Sequence, residues 1–109
     1  MPEAMRLLSD DNFRSTVDAK GVTVVYFFSP TCPNCRRLSP VMDRLAQAYA
    51  GKVHFGKIDT EANVLTAANL LVMSLPTVFL YRDGQQVERI VSVQPEKVYR
   101  EKLDKLIAA

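Results

Sequence analysis

Residues 22–28, Val-Thr-Val-Val-Tyr-Phe-Phe, form one unbroken run of β-branched and aromatic side chains. The run lacks the in–out alternation of a strand with one wet face. It therefore predicts a central strand buried on both sides. Such a strand needs a helical layer above it and another below it.

The flanking segments supply those layers. Residues 5–8 (Met-Arg-Leu-Leu) read as a short strand. Ser9 or Asp10 then caps a helix running through Phe13 and Val17 and stopping near Lys20-Gly21. Beyond the central run, Leu38, Val41, Met42, Leu45 and Tyr49 recur at helical spacing and form one apolar stripe, which Gly51 terminates. Pro40 lies inside that helix and removes one backbone bond, so a kink is expected there. Residues 53–58 read as a strand and 62–71 as a weaker helix. Strands at 77–82 and 87–93 flank Asp83-Gly84, a strong hairpin signal. A last helix from Glu96 places Val98, Tyr99, Leu103, Leu106 and Ile107 on one face. The order β-α-β-α-β-α-β-β-α predicts an α/β protein with a mixed sheet and helices on both faces.

At 109 residues, 48% of them hydrophobic and 24% charged, the chain reads as a single domain over 1–109. The net charge of +2 is small and the charges are interspersed, which argues against nucleic-acid or membrane-surface binding. The N-terminal segment meets Asp10 and Asp11 before an apolar h-region can develop, and the sequence opens with Met1. The longest apolar run is too short to span a bilayer. The expectation is a cytoplasmic protein without a targeting segment.

The two cysteines, Cys32 and Cys35, stand between the central strand and the long helix. A Cys-x-x-Cys pair in a cytosolic α/β chain points to redox catalysis. Pro33 suits the first helical position, where its missing N–H costs nothing, and it disfavours helical backbone at Cys32. Cys32 is thus the expected N-cap, its sulfur accepting from the N–H groups of Asn34 and Cys35. The positive end of the helix dipole favours a thiolate there, and the thiolate is the nucleophile. Cys35, three residues on, is placed to close a disulfide. In this reading Cys32 attacks a substrate disulfide and Cys35 resolves the mixed disulfide. An inert disulfide fits a reducing compartment poorly. A metal site would lack ligands, since only His54 remains, unless two chains share it.

Several separated motifs resemble the thioredoxin family over nearly the whole chain. Residues 24–35, Val-Val-Tyr-Phe-Phe-Ser-Pro-Thr-Cys-Pro-Asn-Cys, look like its strand and active-site loop. Pro40 looks like its in-helix proline, Lys57-Ile58-Asp59 like its third-strand signature, Leu75-Pro76-Thr77 like its cis-proline loop and Asp83-Gly84 like its hairpin. The resemblance implies a thioredoxin fold, a central mixed sheet flanked by four helices. It implies a protein-disulfide reductase and electron carrier in cell redox homeostasis, with a redox-active Cys32–Cys35 disulfide, no bound cofactor and no metal. The implied partners are a thioredoxin reductase, which would hold any flavin or NADPH, and disulfide-bearing target proteins. The protein would be a monomer. Leu75-Pro76 would be cis and pack against Cys32, with Leu75, Pro76 and Val93 receiving an extended target segment.

The departures from that pattern are specific. Thr31 replaces the tryptophan before the first cysteine, and the chain has no tryptophan. Pro33-Asn34 replaces Gly-Pro, Ser92 replaces a loop glycine, and Tyr26 replaces the buried acid beneath the second cysteine. A tyrosine is a poor base at neutral pH, so Tyr26 is expected to fill the core and donate one hydrogen bond. As a functional alternative, slower activation of Cys35 predicts that Tyr26→Asp speeds release of the mixed disulfide at neutral pH. Lys57 loses its usual partner and turns to Asp59 or to solvent. Arg36 and Arg37 either support the Cys32 thiolate or form an exposed basic face. An Asn34 amide on the thiolate would give a somewhat more oxidising potential than a typical thioredoxin has. Two other functions fit. One is a glutaredoxin-like or isomerase-like enzyme, suggested by Pro33 after Cys32. The other is a non-catalytic binding module with a groove of Pro33, Met73, Leu75, Pro76 and Val93.

Overall fold

The computed structural model describes residues 5–109. Residues 1–4, part of the segment read for targeting, lie outside the described residues. The elements are β1 (Met5–Leu8), α1 (Phe13–Val17), β2 (Val22–Phe28), α2 (Pro33–Ala48), β3 (Val53–Asp59), α3 (Val64–Asn69), β4 (Thr77–Arg82), β5 (Gln85–Val91) and α4 (Glu96–Ala108). The sheet order is β1-β3-β2-β4-β5, with β1, β3 and β2 parallel and β4 and β5 antiparallel. This is the expected mixed sheet with four helices.

The run at 22–28 is the middle strand, buried from Val22 to Phe27. Its alternate side chains feed two cores. Val22, Val24 and Tyr26 join Leu38, Met42 and Leu45 of α2 and Tyr99 and Leu103 of α4. Val25 and Phe27 join Phe13 and Val17 of α1 and Phe79 of β4. The Phe27 and Phe79 rings lie 4.8 Å apart. Gly56 of β3 makes room for the neighbouring strand, because a Cβ there would sit 2.8 Å from Leu8 Cδ1.

Three elements differ in extent from those expected: α1 stops at Val17 rather than near Lys20-Gly21, and β5 and α3 differ for local reasons. The hairpin turn takes positive φ at both Asp83 (51°) and Gly84 (87°), so pairing resumes at once with Arg82 opposite Gln85. β5 therefore runs 85–91 rather than 87–93, and Ser92 at φ 71° ends it. α3 is shorter than the 62–71 expected. Asp59 Oδ1 accepts from Glu61 N and Ala62 N, which holds that segment in a turn.

The expected caps divide between two helices. Ser9 and Asn12 exchange bonds, Ser9 N to Asn12 Oδ1 at 2.8 Å and Asn12 N to Ser9 Oγ at 3.4 Å, which opens the turn into α1 in the manner of a capping box. Asp10 does not cap α1. Its carboxylate accepts from Thr66 Oγ1 at 2.6 Å, Thr66 N at 2.9 Å and Leu65 N at 3.3 Å, at the start of α3. These bonds, led by the Thr66 hydroxyl, hold Asp10 below the usual carboxylate range. The contact is intact at neutral pH and is lost as pH falls through that lowered value.

At the other end of α3, Leu71 N bonds Ala68 O and Val72 N bonds Ala67 O, a Schellman pair with Leu71 at φ 56° where glycine is usual. Arg89 of β5 donates to Leu70 O at 2.7 Å and Leu71 O at 3.0 Å, and its guanidinium lies over Phe79. Leu71 is 67% exposed, so its side chain returns little packing for the strained backbone. Leu71→Gly is expected to stabilise the fold by about 1 kcal/mol, roughly 4–8 °C in Tm for a domain of this size. Thermal unfolding of the two proteins checks it.

Candidate active site

β2 delivers the chain to the sheet's C-terminal edge, and the loop before α2 carries the cysteines. Cys32 has φ −90° and ψ 112°, the extended backbone of an N-cap, and Pro33 opens the helix behind it. Cys35 N donates to Cys32 Sγ at 3.1 Å, as an N-cap oxygen would be served. Both are free thiols, Cys32 half-buried and Cys35 buried at 1% exposure. Burial pushes the Cys35 thiol up to about 11, with its hydrogen bond to Cys32 adding to the rise. The arrangement sets a reachable sulfur over a shielded one, with a peptide N–H already directed at the outer sulfur. It suits sequential thiol–disulfide exchange.

The opposite wall comes from the loop before β4. The Leu75-Pro76 peptide bond is cis. Leu75 and Cys32 both pack on the core cluster that contains Cys35 and Tyr26. Ser92 N donates to Pro76 O at 2.9 Å, and Thr77 Oγ1 donates to Ser74 O at 2.8 Å, so both sides of this loop are tied. Met73 is 88% exposed and Val93 37% exposed. Pro33 is also exposed, Leu75 half-buried and Pro76 buried. These residues, expected from sequence to form a groove, are exposed or half-buried apolar groups beside a buried proline.

The thioredoxin family model matches residues 4–105. The thioredoxins of Staphylococcus aureus strains Mu50 and MW2 are each 40% identical to the chain over 98 residues, covering 90% of this chain and 93% of theirs. The chain belongs to the thioredoxin family. It is a thiol–disulfide oxidoreductase, a protein-disulfide reductase with its two cysteines adjacent at the head of α2.

The thioredoxin pattern is altered at several positions. Tyr26, 1% exposed, donates its hydroxyl to Cys35 O at 2.7 Å and lies 3.1 Å from Ser39 Oγ. It fills the core and makes the hydrogen bond expected of it. Burial, the largest cause, pushes its phenol far above the ordinary value, so it keeps its proton. Lys57 stands opposite Tyr26 in the ladder. Of the two alternatives for Lys57, Asp59 or solvent, the Asp59 pair does not form. The Lys57 ammonium instead lies 5.9 Å from the centre of the Phe28 ring, which itself stacks on Tyr26.

Around the cysteines, Thr31 Oγ1 donates to Glu61 Oε2 at 2.6 Å, and Arg36 Nη2 donates to Pro30 O at 3.3 Å. Arg37 is exposed, on the basic helix face expected as one of its two alternatives. Asn34 is exposed and gives Cys32 Sγ neither its backbone N–H nor its amide; the donors to that sulfur come from Cys35, whose backbone N–H lies 3.1 Å away. The Asn34 contact expected to raise the potential is therefore not made. Ser92 keeps the left-handed φ of 71° for which the family uses glycine.

Three site residues were not singled out from sequence: Phe28, Ser39 and Glu61. Ser39 had a signal, since a serine four residues after Cys35 can bond back to its carbonyl, and Ser39 Oγ does so at 3.0 Å. Glu61 had none, because its contact crosses from a separate loop. Among the described residues no three His, Cys, Asp or Glu side chains are grouped to hold a metal ion. No described helix is long and apolar enough to cross a membrane.

Proposed function

We propose that Cys32 is the nucleophile and Cys35 the resolving thiol, and that the chain carries electrons to target proteins as a single domain. One observation carries the assignment: the N-cap sulfur of Cys32 is half-buried and accepts a backbone N–H, while Cys35 is buried beneath it. Cys32 attacks a target disulfide, and one target sulfur leaves. Cys35 then attacks Cys32 Sγ, the second target sulfur leaves, and the chain holds the Cys32–Cys35 disulfide. Two electrons have passed to the target. Thr31, Pro33 and Asn34 shape the loop, Tyr26 and Lys57 tune it, and Leu75, Pro76 and Val93 receive the target backbone by strand addition.

The redox-active element is the cysteine pair, without a bound cofactor or metal. A thioredoxin reductase, carrying any flavin and NADPH, would regenerate the dithiol. A reducing cytoplasm suits a Cys-x-x-Cys pair that works from its dithiol form, and the protein acts as a monomer without nucleic-acid or membrane partners. The test is reduction of insulin disulfides with dithiothreitol as donor. The expected result is turbidity well ahead of the dithiothreitol background. A rate equal to background would favour the binding module instead, and turnover dependent on glutathione would favour the glutaredoxin-like enzyme.

A further inference from the structure

Beneath the first turns of α2, three polar groups converge on one carbonyl. Tyr26 Oη donates to Cys35 O at 2.7 Å, Ser39 Oγ donates to the same oxygen at 3.0 Å, and the two hydroxyls are 3.1 Å apart. An α-helix also directs the Ser39 N–H at that oxygen. The next carbonyl, that of Arg36, would be served by residue 40, and Pro40 has no N–H to offer. The helix is thus short of a backbone bond one residue beyond Cys35 and reinforced by two side chains at Cys35 itself. Tyr26 comes from β2, so this bond ties the carbonyl of Cys35 to the central strand of the sheet.

We propose that Tyr26 is a positioning residue for the resolving thiol: with Ser39 it pins the Cys35 carbonyl to the sheet and so fixes where Cys35 Sγ meets the mixed disulfide on Cys32. The proposal rests on the assignment of Cys35 as the resolving thiol. In that step the Cys35 proton passes to solvent and the thiolate attacks Cys32 Sγ. The Cys32–Cys35 bond forms as the bond from Cys32 to the target sulfur breaks, and the target leaves as a thiolate. Three sulfurs must come nearly into line. A displacement of about 1 Å in such a step costs up to about a hundredfold in rate. The tyrosine acts by geometry rather than by accepting the proton, since its hydroxyl is spent as a donor to a carbonyl and is buried. Where other members place an acid under the second cysteine, this chain places a tether.

The test separates attack from release in single turnover, using the nitrothiobenzoate mixed disulfide on Cys32 and following both steps across a range of pH. Tyr26→Phe keeps the ring stacked on Phe28 and removes only the hydroxyl. It is expected to slow release roughly tenfold, leaving the attack rate and the slope of release against pH between about pH 6 and 9 unchanged. Ser39→Ala, which keeps the tyrosine, is expected to slow release about threefold by the same loss of placement, and it carries the test if Tyr26→Phe does not fold. Release at the wild-type rate in the variants would overturn the proposal. So would a flattened pH dependence in Tyr26→Phe, which would make the phenol a proton acceptor. Cys35→Ser is the control for the underlying assignment. If it releases the thiol as fast as wild type, the resolving role itself fails, whatever Tyr26 does.

Discussion

Cys32→Ser is expected to reduce insulin reduction to the dithiothreitol background, a loss of about a thousandfold or more, as when other enzymes lose their nucleophile. The remaining thiol does not substitute for it. Cys35 is 1% exposed, and burial has pushed it up to about 11, so at pH 7 only about one molecule in ten thousand would carry its thiolate. A target disulfide also has no route to that sulfur without opening the first turn of α2. The serine variant should keep the fold, because a serine oxygen is itself a favoured N-cap and accepts the Cys35 N–H that now serves the sulfur. Circular dichroism and Tm would therefore stay near wild type while activity vanishes. Substantial activity in a folded Cys32→Ser protein would refute the assignment of the nucleophile.

The second large effect is in the pH dependence of release. With the Cys35 thiol at about 11, the reactive thiolate fraction rises tenfold for each pH unit up to that value. Release of a mixed disulfide should then quicken about a thousandfold between pH 6 and pH 9. Forming the mixed disulfide removes the hydrogen bond and charge of Cys32, but burial, the largest cause, remains. Stopped-flow release of nitrothiobenzoate across that range reads the slope, and a pH-independent rate above pH 7 would contradict it. The same shift has a sign for stability. The folded thiol sits above its unfolded value of 9.0, so it contributes stability below about pH 9 that is lost as pH rises toward about 11.

Features written locally in the chain were legible from it. The apolar run at 22–28 became the middle strand, Asp83-Gly84 became the turn, and Pro33 placed Cys32 at the N-cap. Each depends on neighbours within a few residues. What escaped depends on partners brought together only by the sheet. Asp10 left the helix beside it for one 56 residues away. Lys57 met Phe28 rather than Asp59, because the parallel register sets Lys57 opposite Tyr26, two residues from Phe28 on the same face. Glu61 reached Thr31 across 30 residues. The cysteine chemistry was therefore plain in the sequence, while the groups that replace the family's acid and tryptophan were not.

The six residues of α3 hold a further consequence. A helix of that length has no standing stability in water, and its ends are fastened by Asp10 from one side and Arg89 from the other. Its order is borrowed, so it forms a cooperative unit that opens at lower free energy than the central strands. The chain leaves α3 through Met73 directly into Leu75 and Pro76. The loop carrying Leu75 and Pro76 therefore hangs from a short, borrowed helix, while the helix that follows Cys32 packs on the central strand. Recognition and chemistry draw on parts of different stiffness: the loop after α3 can adapt to different polypeptides while α2 stays anchored on the sheet through Leu38, Met42 and Leu45.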